Sequence, residues 1–143
     1  MRKKVFLDTG PLVAFINNRE NSHDWAVNEW KKIQPPFLTC EAVITETCFI
    51  LRDFYGGEDA VMSLLDTGLI QISFRLSDEI GTVRELLKRY QNVPMSLADA
   101  CLVRMIELIV GSCILTLDSD FRVYWKNKNE MIDLIIADGY KRG

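Results

Sequence analysis

Short apolar runs that stop at a turn or an acid alternate along this chain with stretches of helical period, and this alternation restricts the fold more than any other feature. Val5 to Asp8 (VFLD) is such a run, halted by Thr9-Gly10-Pro11, which suits a buried strand entering a turn. Residues 22–33 space Trp25, Val27, Trp30 and Ile33 as an amphipathic helix that ends before Pro35-Pro36. Phe37 to Thr39 is a second strand, and the stretch from Glu41 holds Val43, Ile44, Thr47, Ile50, Leu51 and Phe54 at helical spacing until Gly56-Gly57. A short helix over 58–66, a strand over 69–74, a helix over 77–90 and a nearly all-apolar, buried helix over 96–110 follow. Cys113 to Leu117 reads as a strand, 119–125 as a short helix, and 133–136 as a last strand. Strands separated by helices form βα units, so the expected fold is α/β, a parallel sheet covered on both faces. No repeat or linker divides the chain, and residues 1–143 read as one domain.

Counts exclude several chemistries. His23 is the only histidine, so a two-histidine nuclease and a finger with paired histidine ligands are unavailable within one chain; His23 itself reads as a surface residue. Cys40, Cys48, Cys101 and Cys113 form no C-x-x-C pair and lie in or beside apolar runs, so they read as buried reduced thiols and point to a reducing cytosol. The apolar run before Asp8 is only three residues long, too short for a signal peptide, and no stretch approaches the roughly 18 apolar residues of a membrane span. A cytoplasmic protein without a membrane partner is expected. The net charge of −3 argues against broad cationic adhesion to a polyanion, which must instead be held locally.

Four carboxylates occupy positions that a purely structural chain rarely uses. Asp8 closes the first strand, and Asp118, followed by Asp120, closes the fourth; in open parallel sheets, ligands bind beyond the carboxyl ends of the strands. An Asp after a strand also commonly caps the next helix. Asp99 heads the apolar stripe of Val103, Ile106 and Val110, although Ser96-Leu97-Ala98-Asp99 is equally a capping box. Glu46 lies on the shoulder of its helix's apolar stripe, beside Val43 and Ile50, where a glutamate is commonly a rim residue with no further role. Should the four converge, their mutual repulsion would demand protonation or cations, and hard oxygen ligands suit Mg²⁺ or Mn²⁺.

The segments VFLDTGPLVAF (5–15), VITETCFIL (43–51), MSLADACLV (95–103) and ILTLDSDF (114–121) together resemble the PIN-domain ribonucleases, in particular bacterial toxins of the VapC type. The resemblance spans residues 5–121 and rests on four weak motifs in the family's order. It implies a three-layer α/β/α sandwich with a mostly parallel sheet and a metal-dependent endoribonuclease site using Mg²⁺ or Mn²⁺. Asp8, Glu46, Asp99 and Asp118 match the catalytic, metal-holding quartet, with Asp120, Thr9 and Thr116 as auxiliaries. It further implies an RNA substrate, an antitoxin partner protein and a homodimer.

An RNA substrate calls for local positive charge, and Arg2, Lys3, Lys4, Arg19, Arg122, Lys126 and Lys128 are candidates for a rim, each otherwise an ordinary solvated charge. Trp25, Trp30 and Trp125 offer surfaces for base stacking but read better as packing residues. Rival readings are a non-catalytic RNA- or protein-binding module on the same fold and a haloacid-dehalogenase-like phosphotransferase. The latter needs a second Asp two residues after the first, where this chain has Gly10.

Overall fold

The computed structural model describes residues 3–137. In chain order the elements are β1 (Val5–Leu7), α1 (Thr9–Ile16), α2 (His23–Lys32), β2 (Phe37–Thr39), α3 (Glu41–Ile50), α4 (Gly57–Asp66), β3 (Ile70–Ile72), α5 (Ile80–Arg89), α6 (Leu97–Leu108), β4 (Cys113–Leu115), β5 (Trp125–Lys126), β6 (Glu130–Met131) and β7 (Leu134–Ile135). Five strands form a parallel sheet in the order β3-β2-β1-β4-β7. β5 and β6 pair antiparallel outside it.

Period-two alternation sorts the strand side chains into two layers of core. Phe6, Leu38 and Ile114 pack on one face with Val83 and Leu86 of α5 and with Leu102, Val103 and Ile106 of α6. Val5, Leu7, Phe37, Cys113 and Leu115 pack on the other with Leu12 and Val13 of α1, Ile44 of α3 and Val61 of α4. Helices on both faces of a parallel sheet make the expected α/β/α sandwich. β1 is the centre, with register Phe6 to Leu38 on one side and Phe6 to Ile114 on the other. Connections leave β1 toward β2 and return to its far side at β4, so the strand order reverses beside β1; a crevice opens at the carboxyl ends of such a pair.

The structure differs from the sequence reading chiefly at residues 9–16. Thr9-Gly10-Pro11 does not end in a turn; it is the first turn of α1, which Asp8 caps by accepting from the Thr9 amide at 2.8 Å. Proline is tolerated there because the first-turn amides have no intrahelical acceptor. α3 stops at Ile50, with residues 51–55 in turns ahead of Gly56, whose φ of 75° lies in the left-handed region open to glycine. A 3-10 turn, Leu76–Asp78, precedes α5, and the short helix expected over 119–125 is a 3-10 turn over Ser119–Arg122. The β5–β6 hairpin had no periodic signal, since two residues per strand are too few to show alternation.

Candidate active site

The site begins with the backbone. The Asp8 amide donates to the Leu115 carbonyl at 3.1 Å, continuing the β1–β4 ladder by one bond, so Asp8 and Thr116 emerge side by side. Both are buried, and the Thr116 hydroxyl donates to Asp8 Oδ2 at 2.7 Å while accepting from the Asp118 amide at 2.9 Å. One hydroxyl therefore sets the spacing between two acids 110 residues apart in sequence. Asp118 Oδ1 accepts from the Asp120 amide at 2.9 Å, capping the 3-10 turn. On the other side, the Thr9 hydroxyl donates to Glu46 Oε2 at 3.0 Å, drawing α3 to the end of β1. A continuous hydrogen-bonded chain thus runs Glu46, Thr9, Asp8, Thr116, Asp118.

Asp99 enters from α6. The capping box exists: Ser96 Oγ accepts from the Asp99 amide and Asp99 Oδ2 from the Ser96 amide, both at 3.0 Å. The box does not withdraw Asp99 from the site, for the residue also lines a cavity of about 500 Å³ together with Asp8, Glu46, Asp118 and Asp120. All four quartet positions and the auxiliary Asp120 therefore meet at one cavity. Glu46 is the most open of the quartet, being solvent-exposed, while Asp8 and Asp99 are only 6% and 8% exposed.

Electrostatics follow from this crowding. Burial, only partly offset by the hydrogen bonds from Thr116 and Thr9, and with repulsion from Asp99 and Asp118 added, pushes Asp8 up to about 7. Burial likewise pushes Asp99 up to about 6, against the Ser96 hydrogen bonds and with Asp118 and Glu46 repelling it. These two carboxyls hold their protons toward neutral pH unless positive charge arrives. Among the described residues no lysine, arginine or histidine lines the cavity.

The donor set fits a hard divalent cation in chemistry, being carboxylate oxygen throughout. Among the described residues no group of three or more His, Cys, Asp or Glu side chains forms a ready-made cage. A spread of this kind fits an ion that keeps several of its waters and takes one or two carboxylates directly, as Mg²⁺ does.

Two features escaped the sequence reading. Glu20 joins the cavity wall from the loop after α1, where it sits next to Asn21 and Ser22; with Thr9-Gly10-Pro11 read as a turn and no element assigned before residue 22, nothing pointed to that loop. Tyr124 reaches Asp99 from the far side, and no sequence pattern signals it. None of Lys3, Lys4, Arg19, Arg122, Lys126 and Lys128 is among the residues that line the cavity; Lys3 pairs with Asp133, Lys128 pairs with Glu85, and Arg2 lies outside the described residues. Trp30 stacks between Phe15 and Phe37 at 3.9 and 4.0 Å, and Trp25 packs on the core. Trp125 is 44% exposed but does not line the cavity. His23 is half-buried, with Nδ1 2.7 Å from the Ala14 carbonyl oxygen, and the four cysteines are free. No helix among the described residues is long and apolar enough to cross a membrane.

A parallel sheet with acids gathered at its switch point places the chain in a class, and comparison names it: a match to the PIN domain covers residues 5–126, so the chain belongs to the PIN-domain family. Among solved structures it is similar to VapC20 of Mycobacterium tuberculosis, described as a toxin that cleaves the sarcin-ricin loop, with a TM-score of 0.66 and 20% identity. That match covers 73% of this chain and 82% of the other. At this identity the likeness is one of fold. No curated protein matches the chain.

Proposed function

We propose that the protein is a Mg²⁺- or Mn²⁺-dependent endoribonuclease, the toxin of a toxin–antitoxin pair, acting in the cytoplasm as a homodimer. The observation that carries this reading is the meeting of Asp8, Glu46, Asp99 and Asp118, from four separate elements, at one cavity that no basic side chain among the described residues lines. Membership of the PIN family and the fold shared with an RNA-cleaving toxin support it.

Asp8 and Asp118, on strand ends held by the Thr116 hydroxyl, would be direct ligands of the cation. Asp99 and Glu46 would hold it directly or through water, and one acid would orient the attacking water. A bound divalent ion supplies a water of lowered pKa and compensates charge on the phosphate oxygens. The chain's own contribution is placement: Thr9 fixes Glu46, Thr116 fixes Asp8, and the capping box fixes Asp99. The antitoxin would approach where Ile50 forms part of the cavity wall and Phe49 stands 63% exposed beside it, offering an arginine or an apolar helix to the acids.

The test is cleavage of a mixed RNA pool with Mg²⁺ or Mn²⁺, with chelator, and with Asp99→Asn. Cleavage that chelator and Asp99→Asn both abolish is the expected result. RNA binding with no cleavage under either metal would favour the binding-module reading.

A further inference from the structure

Tyr124 is fully buried and lies just outside the lining of the acidic cavity, yet its hydroxyl ends on two residues that form that lining. It is 2.6 Å from the Pro94 carbonyl oxygen and 3.4 Å from Asp99 Oδ2. One proton cannot serve both acceptors fully; the lengths give Pro94 the hydrogen bond and Asp99 the weaker branch. A phenol keeps its proton at neutral pH, so the group is a donor. The other end of the residue is rooted in the turn that carries Asp118 and Asp120, because the Tyr124 amide donates to the Asp120 carbonyl at 3.3 Å. Its ring is clamped edge-on between Phe121 at 5.5 Å and Tyr90 at 5.2 Å, and the Tyr90 hydroxyl accepts from the Trp125 amide.

We propose that Tyr124 is a positioning residue of the acidic site, a brace from the Asp118–Asp120 turn to the first turn of α6 that keeps Asp99 presented to the cation. The proposal rests on the reading of the cavity as a cation-holding nuclease site. Asp99 Oδ2 accepts from the Ser96 amide at 3.0 Å and takes the longer, 3.4 Å branch from the Tyr124 hydroxyl. Held in this way at the head of α6, Asp99 lines the cavity beside Asp8, Asp118 and Glu46. Residues 94–96 line the same wall, so loss of the hydroxyl would loosen the loop and the carboxylate together.

The experiment is Tyr124→Phe, which removes one oxygen and leaves the ring packing. Amide hydrogen exchange in metal-free protein should accelerate about tenfold at Ser96 and Asp99 relative to the amides of β1 and β4. The Mn²⁺ midpoint, read by calorimetry without RNA, should rise about fivefold, with cleavage at saturating Mn²⁺ within about twofold of wild type. Val61→Ala, in the opposite layer of the core, is the control for plain destabilisation and should move neither local readout. Exchange at Ser96 and Asp99 that rises only in step with β1 and β4, together with an unmoved Mn²⁺ midpoint, would overturn the brace. If wild type neither binds Mn²⁺ nor cleaves RNA, the nuclease reading fails by itself, and the exchange measurement still upholds or overturns the brace.

Discussion

Replacing Asp8 by Asn should make the metal-free protein more stable and inactive at once. In the fold the Asp8 carboxyl is raised from 3.8 to about 7, chiefly by burial. Between those values the folded state binds more protons than the unfolded chain, so this residue's contribution to stability falls as pH rises from about 4 to about 7. Above pH 7 a shift of this size amounts to about 4 kcal/mol of destabilisation by the ionised group. Asn keeps the shape and the Oδ1 acceptor for the Thr9 amide but turns an NH₂ toward the Thr116 hydroxyl, whose oxygen already accepts from Asp118. Losing that hydrogen bond costs about 2 kcal/mol, which leaves a net gain of about 2 kcal/mol. For a domain of this length the gain is a rise of about 6 °C in Tm.

The assay is thermal unfolding of both proteins in chelator from pH 4.5 to 8, with RNA cleavage measured in parallel. At pH 4.5 the advantage should vanish or reverse, because Asp8 is then largely protonated in the fold and the lost hydrogen bond dominates. At pH 7.5, adding Mg²⁺ should raise the Tm of wild type and leave Asp8→Asn unchanged, since only a ligand that binds the native state stabilises it. Cleavage should fall at least about 100-fold, the loss of a few kcal/mol of charge stabilisation. An Asp8→Asn protein that melts at or below wild type at pH 7.5 in chelator would refute the account of Asp8 as a charge held against its solvation.

Thr116→Val removes a fully buried hydroxyl that both donates to Asp8 and accepts from the Asp118 amide. The expected cost is about 3 kcal/mol and a higher Mg²⁺ midpoint for cleavage; an unchanged Tm would show that the hydroxyl does not hold the two acids. Glu46→Gln, at an exposed position and still able to accept from Thr9, should change stability by less than about 0.5 kcal/mol, yet reduce cleavage about 100-fold at subsaturating Mg²⁺. Full activity in that variant would remove Glu46 from the site.

What the chain determines locally was legible in the residues. Apolar runs of strand length, the helical spacing of Val83 and Leu86 or of Val103 and Ile106, and the Ser96–Asp99 box are all short-range patterns, and each appears in the structure where the periodicity placed it within a few residues. α1 is the exception for a local reason: a Gly-Pro pair reads as a turn unless the preceding Asp-Thr is recognised as a cap, and the loop carrying Glu20 was lost with it. The convergence is of another kind. Nothing local to position 8 or 116 encodes that one hydroxyl joins Asp8 to Asp118, because that bond follows from β4 lying beside β1 rather than beside β3. The capping box was equally compatible with a purely structural Asp99; packing α6 across β1 and β4 turned its first turn toward the cavity. Secondary structure and the identity of the acids are properties of neighbours in sequence, whereas the raised pKa values of Asp8 and Asp99, the Thr116 bridge and the Tyr124 brace arise only when burial removes water and brings distant side chains within hydrogen-bonding reach.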